Sequence, residues 1–182
     1  MEFKKLAISA TNFGINRIIE ILSLGILLMG VLLIISLATY SPNDPNFIFP
    51  NNMEIKNLLG FRGSFISDLF FQSFGLIALL IPFSLIISGI NIFLNKKIFL
   101  IIESIFFVTL YSLIGSLFFS FFYPTAFTFY INGNGGFVGK YLITTFLNSA
   151  ININTQISYY ILILFILTLF LISIQFKINF FY

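Results

Sequence analysis

The chain contains no cysteine, no histidine and no tryptophan. Without cysteine there is neither a disulfide nor a thiolate nucleophile, and without histidine the imidazole base and the commonest zinc ligand are missing too. Charge is equally scarce: 8% of the 182 residues are Asp, Glu, Lys or Arg, against about a quarter in an ordinary soluble domain. Together these absences remove most soluble-enzyme chemistry, and no metal or cofactor is expected. What fills the chain is apolar, with 59% hydrophobic residues, among them 27 phenylalanines and 8 tyrosines. That composition belongs to a membrane protein. With no tryptophan, the interfacial aromatic belt falls to Tyr40, Tyr123, Tyr130, Tyr141, Tyr159 and Tyr160, which cluster where apolar runs end. The formal net charge is +3, but scattered basic residues form no stripe that could follow a phosphate backbone. Orienting the chain in a bilayer is their better use.

A bilayer core about 30 Å thick takes about 20 apolar residues of helix, and four stretches meet that length. Residues 21–40, 69–95 and 157–176 carry no charge, and 98–122 carry only Glu103. The expected architecture is an all-α membrane protein with four spans, at 18–40, 69–95, 98–122 and 157–176, within a membrane domain over 18–177. Residues 1–17 and 178–182 flank it, and the longer loops cover 41–67 and 123–156. A cleaved signal peptide fits the first run poorly, because the run is too long and no small-residue cleavage site follows it. Lys4, Lys5, Arg17, Lys96, Lys97 and Lys177 fall on one side of this arrangement, against Lys56, Arg62 and Lys140 on the other. By the positive-inside rule both termini face the cytoplasm and both long loops face outward.

The first outer loop opens with SPNDPNFIFPNN, where Pro42, Pro45 and Pro50 forbid continued helix and Asn and Asp favour turns. The second helix is expected to start near Ser64, with Asp68 in its first turn against the positive end of the dipole, and to kink at Pro82. In the second loop, residues 137–149 are too short and too polar to span. Lys140, Thr144 and Asn148 recur every four residues, which predicts a short outer helix lying in the interface or packed on the bundle.

Three features invite functional readings. NGNGGFVGKYL, from Asn132 to Leu142, resembles a phosphate-binding loop, but Asn134 stands where its first glycine belongs and Tyr141 where the magnesium-binding hydroxyl belongs. A turn leading into the outer helix accounts for the glycines. Glu103 is an intramembrane acid and so a candidate proton-carrying site. It lies under about 10 Å beyond Lys97 along a helix, close enough to reach the interface or to pair with Lys96 or Lys97. The small residues Gly25, Gly30, Gly75, Gly89 and Gly115, with Ser84 to Ser88 and Ser112 to Ser116 each four apart, fit either bundle packing or a self-association face.

Taken in order, these segments resemble the amino-terminal four-helix membrane domain of the FtsK/SpoIIIE translocase family, over roughly residues 17–177. The resemblance rests on the exit Tyr40-Ser41-Pro42-Asn43-Asp44-Pro45-Asn46-Phe47 and on the stretch from Gly60 to Gly89. That stretch holds Gly60, Gly63, Asp68, the Phe74-Gly75 pair and the mid-helix Pro82. The turn Gly135-Gly136-Phe137-Val138-Gly139 completes it. Family members continue into a long linker and a cytoplasmic motor with a phosphate loop and a DNA-contacting domain. No such segments fall before Tyr182, so catalysis and direct ATP or DNA binding are not expected of these residues. The resemblance implies an anchoring and assembly module in the bacterial inner membrane, at the division septum. Its implied partners are lipid, further copies of itself and other septal membrane proteins. The alternative is a small transporter or channel using Glu103 and a kink at Pro82. Against it stand the missing inverted repeat and the scarcity of polar residues converging at mid-membrane.

Overall fold

The computed structural model describes residues 2–45, 54–124, 132–147 and 155–174. Tyr130, Asn148, Lys177 and the Asn46–Phe47 end of the exit motif lie outside them. Every regular element among the described residues is helical, as lipid requires of a chain that must satisfy its backbone groups internally. Helix α1 runs from Glu2 to Ala38, α2 from Gly60 to Phe74 and α3 from Ile81 to Asn95, with a 3₁₀ segment Gly75–Leu80 joining the last two. Then follow α4, Phe99–Phe122, the short α5, Gly136–Leu142, which runs into a π turn Ile143–Leu147, and α6, Thr155–Ser173. Four stretches are long and apolar enough to cross a membrane: Thr11–Ala38, Gly60–Asn95, Phe99–Phe122 and Gln156–Ser173.

These cross back and forth, so the tight connection at Lys96 shares one end of the bundle with the start of α1 and the finish of α6. The described parts of both long loops lie at the opposite, looped end. Tyr40, Tyr123, Tyr141, Tyr159 and Tyr160 all sit at the looped end. There Tyr123 and Tyr159 join hydroxyls at 2.8 Å, and both rings flank Phe118.

Lipid offers no hydrophobic drive for helices to associate, so close backbone approach has to supply packing. Helix α1 and α3 meet through facing glycines. A Cβ on Gly30 would lie 2.8 Å from Ile86 Cγ1 and 3.0 Å from the Pro82 carbonyl, and one on Gly89 would lie 2.9 Å from the Leu27 nitrogen. Gly25 faces open space instead. The core between the helices gathers Phe71, Ile77, Ala78, Tyr111, Phe118 and Leu169.

Several expectations need correction. The second helix starts at Gly60, inside the stretch read as loop, because the Asn57 carbonyl accepts the Gly60 N–H at 2.9 Å and its side chain accepts the Leu59 N–H at 3.1 Å. Asp68 therefore lies well past the first turn and accepts the Tyr40 hydroxyl at 3.2 Å rather than meeting the dipole. The stretch of 36 residues from Gly60 to Asn95 would be about 54 Å long as a straight α-helix, and it is broken. The break lies at Gly75, not at Pro82, which occupies the first turn of α3, where a missing N–H costs nothing. The outer helix is α-helical only to Leu142 and continues as a π turn, with Lys140 and Thr144 both exposed and the Thr144 hydroxyl donating to the Lys140 carbonyl at 3.1 Å.

Candidate functional site

The residues singled out by sequence converge at the looped end, where they organise backbone. Asp44 is almost wholly buried. Its carboxylate accepts the backbone N–H groups of Lys56 at 3.0 Å and Asn57 at 2.8 Å, folding the far side of the first loop back onto the end of α1. The turn that carries it starts with the Asp44 N–H on the Ser41 carbonyl. Pro42 lies in this turn, where its fixed φ suits the chain, and the Pro45 carbonyl accepts the Ser64 hydroxyl at 2.9 Å. Asn57 completes the clamp by donating its amide to the Ser36 and Thr39 carbonyls, at 2.9 and 3.3 Å. Those carbonyls are left without partners where α1 ends. Gly63 closes it, since its carbonyl accepts the Ser36 hydroxyl at 2.6 Å and any Cβ there would overlap the Asn57 side chain.

The second junction joins the helix break to the second loop. Gly75 has φ +69° with ψ −145° and Gly136 φ +65°, and positive-φ backbone of this kind costs a residue with a Cβ about 1–3 kcal/mol. Space forbids a side chain as well: a Cβ on Gly75 would overlap the Asn134 carbonyl, and one on Gly136 would sit 2.5 Å from the Ser73 carbonyl. With the backbones that close, the Leu76 N–H, freed by the break, donates to the Asn134 carbonyl at 2.8 Å. The Phe74 carbonyl, at the same break, accepts the Ser116 hydroxyl at 3.0 Å. Asn134 is fully buried and its amide donates to the Tyr123 carbonyl at the end of α4, at 2.5 Å. Gly135 and Gly139 lie against Ser116 and Ser120 of α4, where a Cβ on either would overlap. The amides that a phosphate would need are engaged, Gly136 N–H with the Gly133 carbonyl and Gly139 N–H with the Gly135 carbonyl. Lys140 points outward, exposed. The glycines thus shape a turn that plugs the helix break.

The other half of the bundle is joined by hydroxyls. Ser84 lies 3.0 Å from both the Tyr111 and Ser173 hydroxyls, and Ser88 lies 2.6 Å from the Ser104 hydroxyl while donating to the Ser173 carbonyl at 3.1 Å. Asn91 donates to the Ile174 carbonyl at 2.8 Å. Hydroxyl groups therefore do meet inside the bundle, from Tyr111 at the middle of α4 to Ser173 at the finish of α6. They bond mainly to one another, although the buried Ser112 hydroxyl has no partner among the described residues. Ser84, Ser88, Ser112 and Ser116 are all buried within the chain, so they form no self-association face. Glu103 is half-buried and joins no ion pair among the described residues. Lys96 reaches Glu20 of α1 at 2.7 Å instead, beside the Arg17–Glu20 pair. No three Asp or Glu side chains gather as a metal site among the described residues.

Sequence reasoning missed Asn57, Asn134 and Glu20. An asparagine three residues before a glycine-started helix and one enclosed by Gly133 and Gly135 were the available signals for the first two. Nothing in the sequence pairs Glu20 with Lys96.

A broken helix, plugged by a loop and crossed by apolar neighbours, defines a multi-pass helical membrane domain. The chain belongs to the family described as the 4TM region of DNA translocase FtsK/SpoIIIE, which matches residues 16–181. A DNA translocase FtsK of Rickettsia bellii (strain RML369-C) is 36% identical over 85 residues, which is 47% of this chain and 11% of that protein. Those of Rickettsia typhi (strain ATCC VR-144 / Wilmington) and Rickettsia prowazekii (strain Madrid E) are 34% and 32% identical, over 35% and 43% of the chain and 9% and 11% of their own length. The matches thus span about a tenth of those relatives. No motor domain is evident within these residues. No solved structure matches the chain.

Proposed function

We propose that the chain anchors and assembles an FtsK-like DNA translocase at the division septum, with both termini in the cytoplasm and both long loops in the periplasm. Membership of the 4TM family over residues 16–181 carries this reading. Two features support it. The motif residues Asp44, Gly63, Gly75, Gly135, Gly136 and Gly139 are committed to turns and close contacts. The outer faces of α1 and α6 stay apolar and exposed, as at Met29, Leu28, Ile161 and Leu164, which leaves them for lipid, further copies or other septal membrane proteins. DNA and ATP are contacted elsewhere in the assembly.

The test is a set of fluorescent fusions of the chain in dividing cells, with crosslinking in membranes. Fusions should collect at the septum and crosslink to one another. A uniform distribution around the membrane with no crosslinked species would sink the reading. Reporter fusions after Asn95 should read cytoplasm, and fusions at Asn51 and Asn132 periplasm; reversed signals would overturn the orientation.

A further inference from the structure

Between two of its contacts with the broken helix, α1 gapes away from it. At the looped end the Ser36 hydroxyl holds the Gly63 carbonyl. Deeper in, Gly30 lies against Pro82 and Ile86. Between these contacts lies a slot of about 490 Å³, open on one side and lined by Met29, Leu32, Ile66, Leu69, Phe70 and Leu85, with Arg62 at its looped end. Leu69 is 53% exposed and Met29 65%, so the slot faces the apolar surroundings of the bundle. Arg62 is exposed and joins no ion pair among the described residues.

We propose that this slot holds the upper acyl chains of an anionic glycerophospholipid whose phosphate lies on Arg62. Size argues for lipid. A helix is a cylinder about 10 Å across, so three turns displace roughly 1,300 Å³, far more than the slot admits. The slot's wall is aliphatic and aromatic and one side is open, which suits the flexible upper methylenes of a lipid's acyl chains. Charge sets the headgroup. The slot offers one basic group at the end where a span meets the headgroup layer, and a guanidinium matches a phosphate with paired donors. A zwitterionic lipid brings its own cation to that position, whereas an anionic one does not.

Native mass spectrometry of the full chain in detergent, with phosphatidylglycerol or phosphatidylcholine of matched chains, tests this. Phosphatidylglycerol should be retained about fivefold better, the effect of one basic residue near anionic headgroups. Arg62→Gln should abolish the preference, and Ile66→Trp, which fills the slot, should lower retention of both lipids. Lys140→Gln, which removes a cation from α5, should change neither. A preference that survives Arg62→Gln overturns the proposal. Leu69→Cys supplies the only thiol in the chain for crosslinking in native membranes. A crosslink between two copies, or to another protein, would show protein rather than lipid in the slot and would equally overturn it.

Discussion

The looped end and the opposite half of the bundle are held by different chemistry. At the looped end backbone meets backbone: Gly75 against Asn134, Gly136 against Ser73, and the Asp44 carboxylate on two successive N–H groups. In the other half, α3, α4 and α6 exchange hydroxyls, with Ser84, Ser88, Ser104, Tyr111 and Ser173 bonded among themselves. A backbone junction admits no alternative geometry, because its partners cannot rotate away. A serine that loses its partner can turn to a carbonyl of its own helix. The first region should therefore respond steeply to small substitutions and the second weakly.

The sharpest test is Gly75→Ala against Gly60→Ala. Both positions have positive φ, but only Gly75 lacks space for a Cβ. Gly60→Ala should cost about 1–2 kcal/mol, whereas Gly75→Ala should reach about 3 kcal/mol or more, as strain and overlap combine. Thermal unfolding in detergent measures both, and equal losses would remove the plugged break from the account. Next in size is Asp44→Ala, which leaves the buried Asn57 N–H and the partly buried Lys56 N–H without an acceptor and should cost about 2 kcal/mol. Protease nicking of the first loop should rise with it, and an unchanged cleavage rate would show the clamp to be dispensable. Ser88→Ala removes two contacts of the hydroxyl half and should cost about 1.2 kcal/mol, twice the mean of about 0.6 kcal/mol for one such bond in membranes. A loss above about 2 kcal/mol would erase the contrast between the halves. The smallest effect belongs to Glu103→Gln. It breaks no ion pair seen among the described residues, so stability and septal collection of a fluorescent fusion should stay within error. Loss of a transport activity in that variant, with the Gly75 variant unimpaired, would favour a transporter over an anchor.

Much of the fold was legible. The four apolar runs lie where the membrane-crossing helices lie, because length and uniform hydropathy are properties of a segment by itself. The glycine turn was legible too, since Asn134 and Tyr141 already spoil a phosphate loop. Misplaced features share one cause. The start of α2 at Gly60 depends on Asn57 reaching back to α1. The break at Gly75 depends on the second loop arriving to accept the Leu76 N–H. Proline advertises a kink locally, while a glycine break is stable only once its freed groups are covered from elsewhere.

By itself, then, the sequence determined that this is an all-helical chain crossing a membrane four times, with turns at its prolines and clustered glycines. Residue type and run length suffice for that, since lipid tolerates no unsatisfied backbone. Only the tertiary structure decided which serines lie inside, that Lys96 joins Glu20 rather than Glu103, and that the second helix bends around the backbone of Asn134. Each is a pairing between residues far apart in the chain, and a pairing exists only where packing has brought both partners within hydrogen-bond reach.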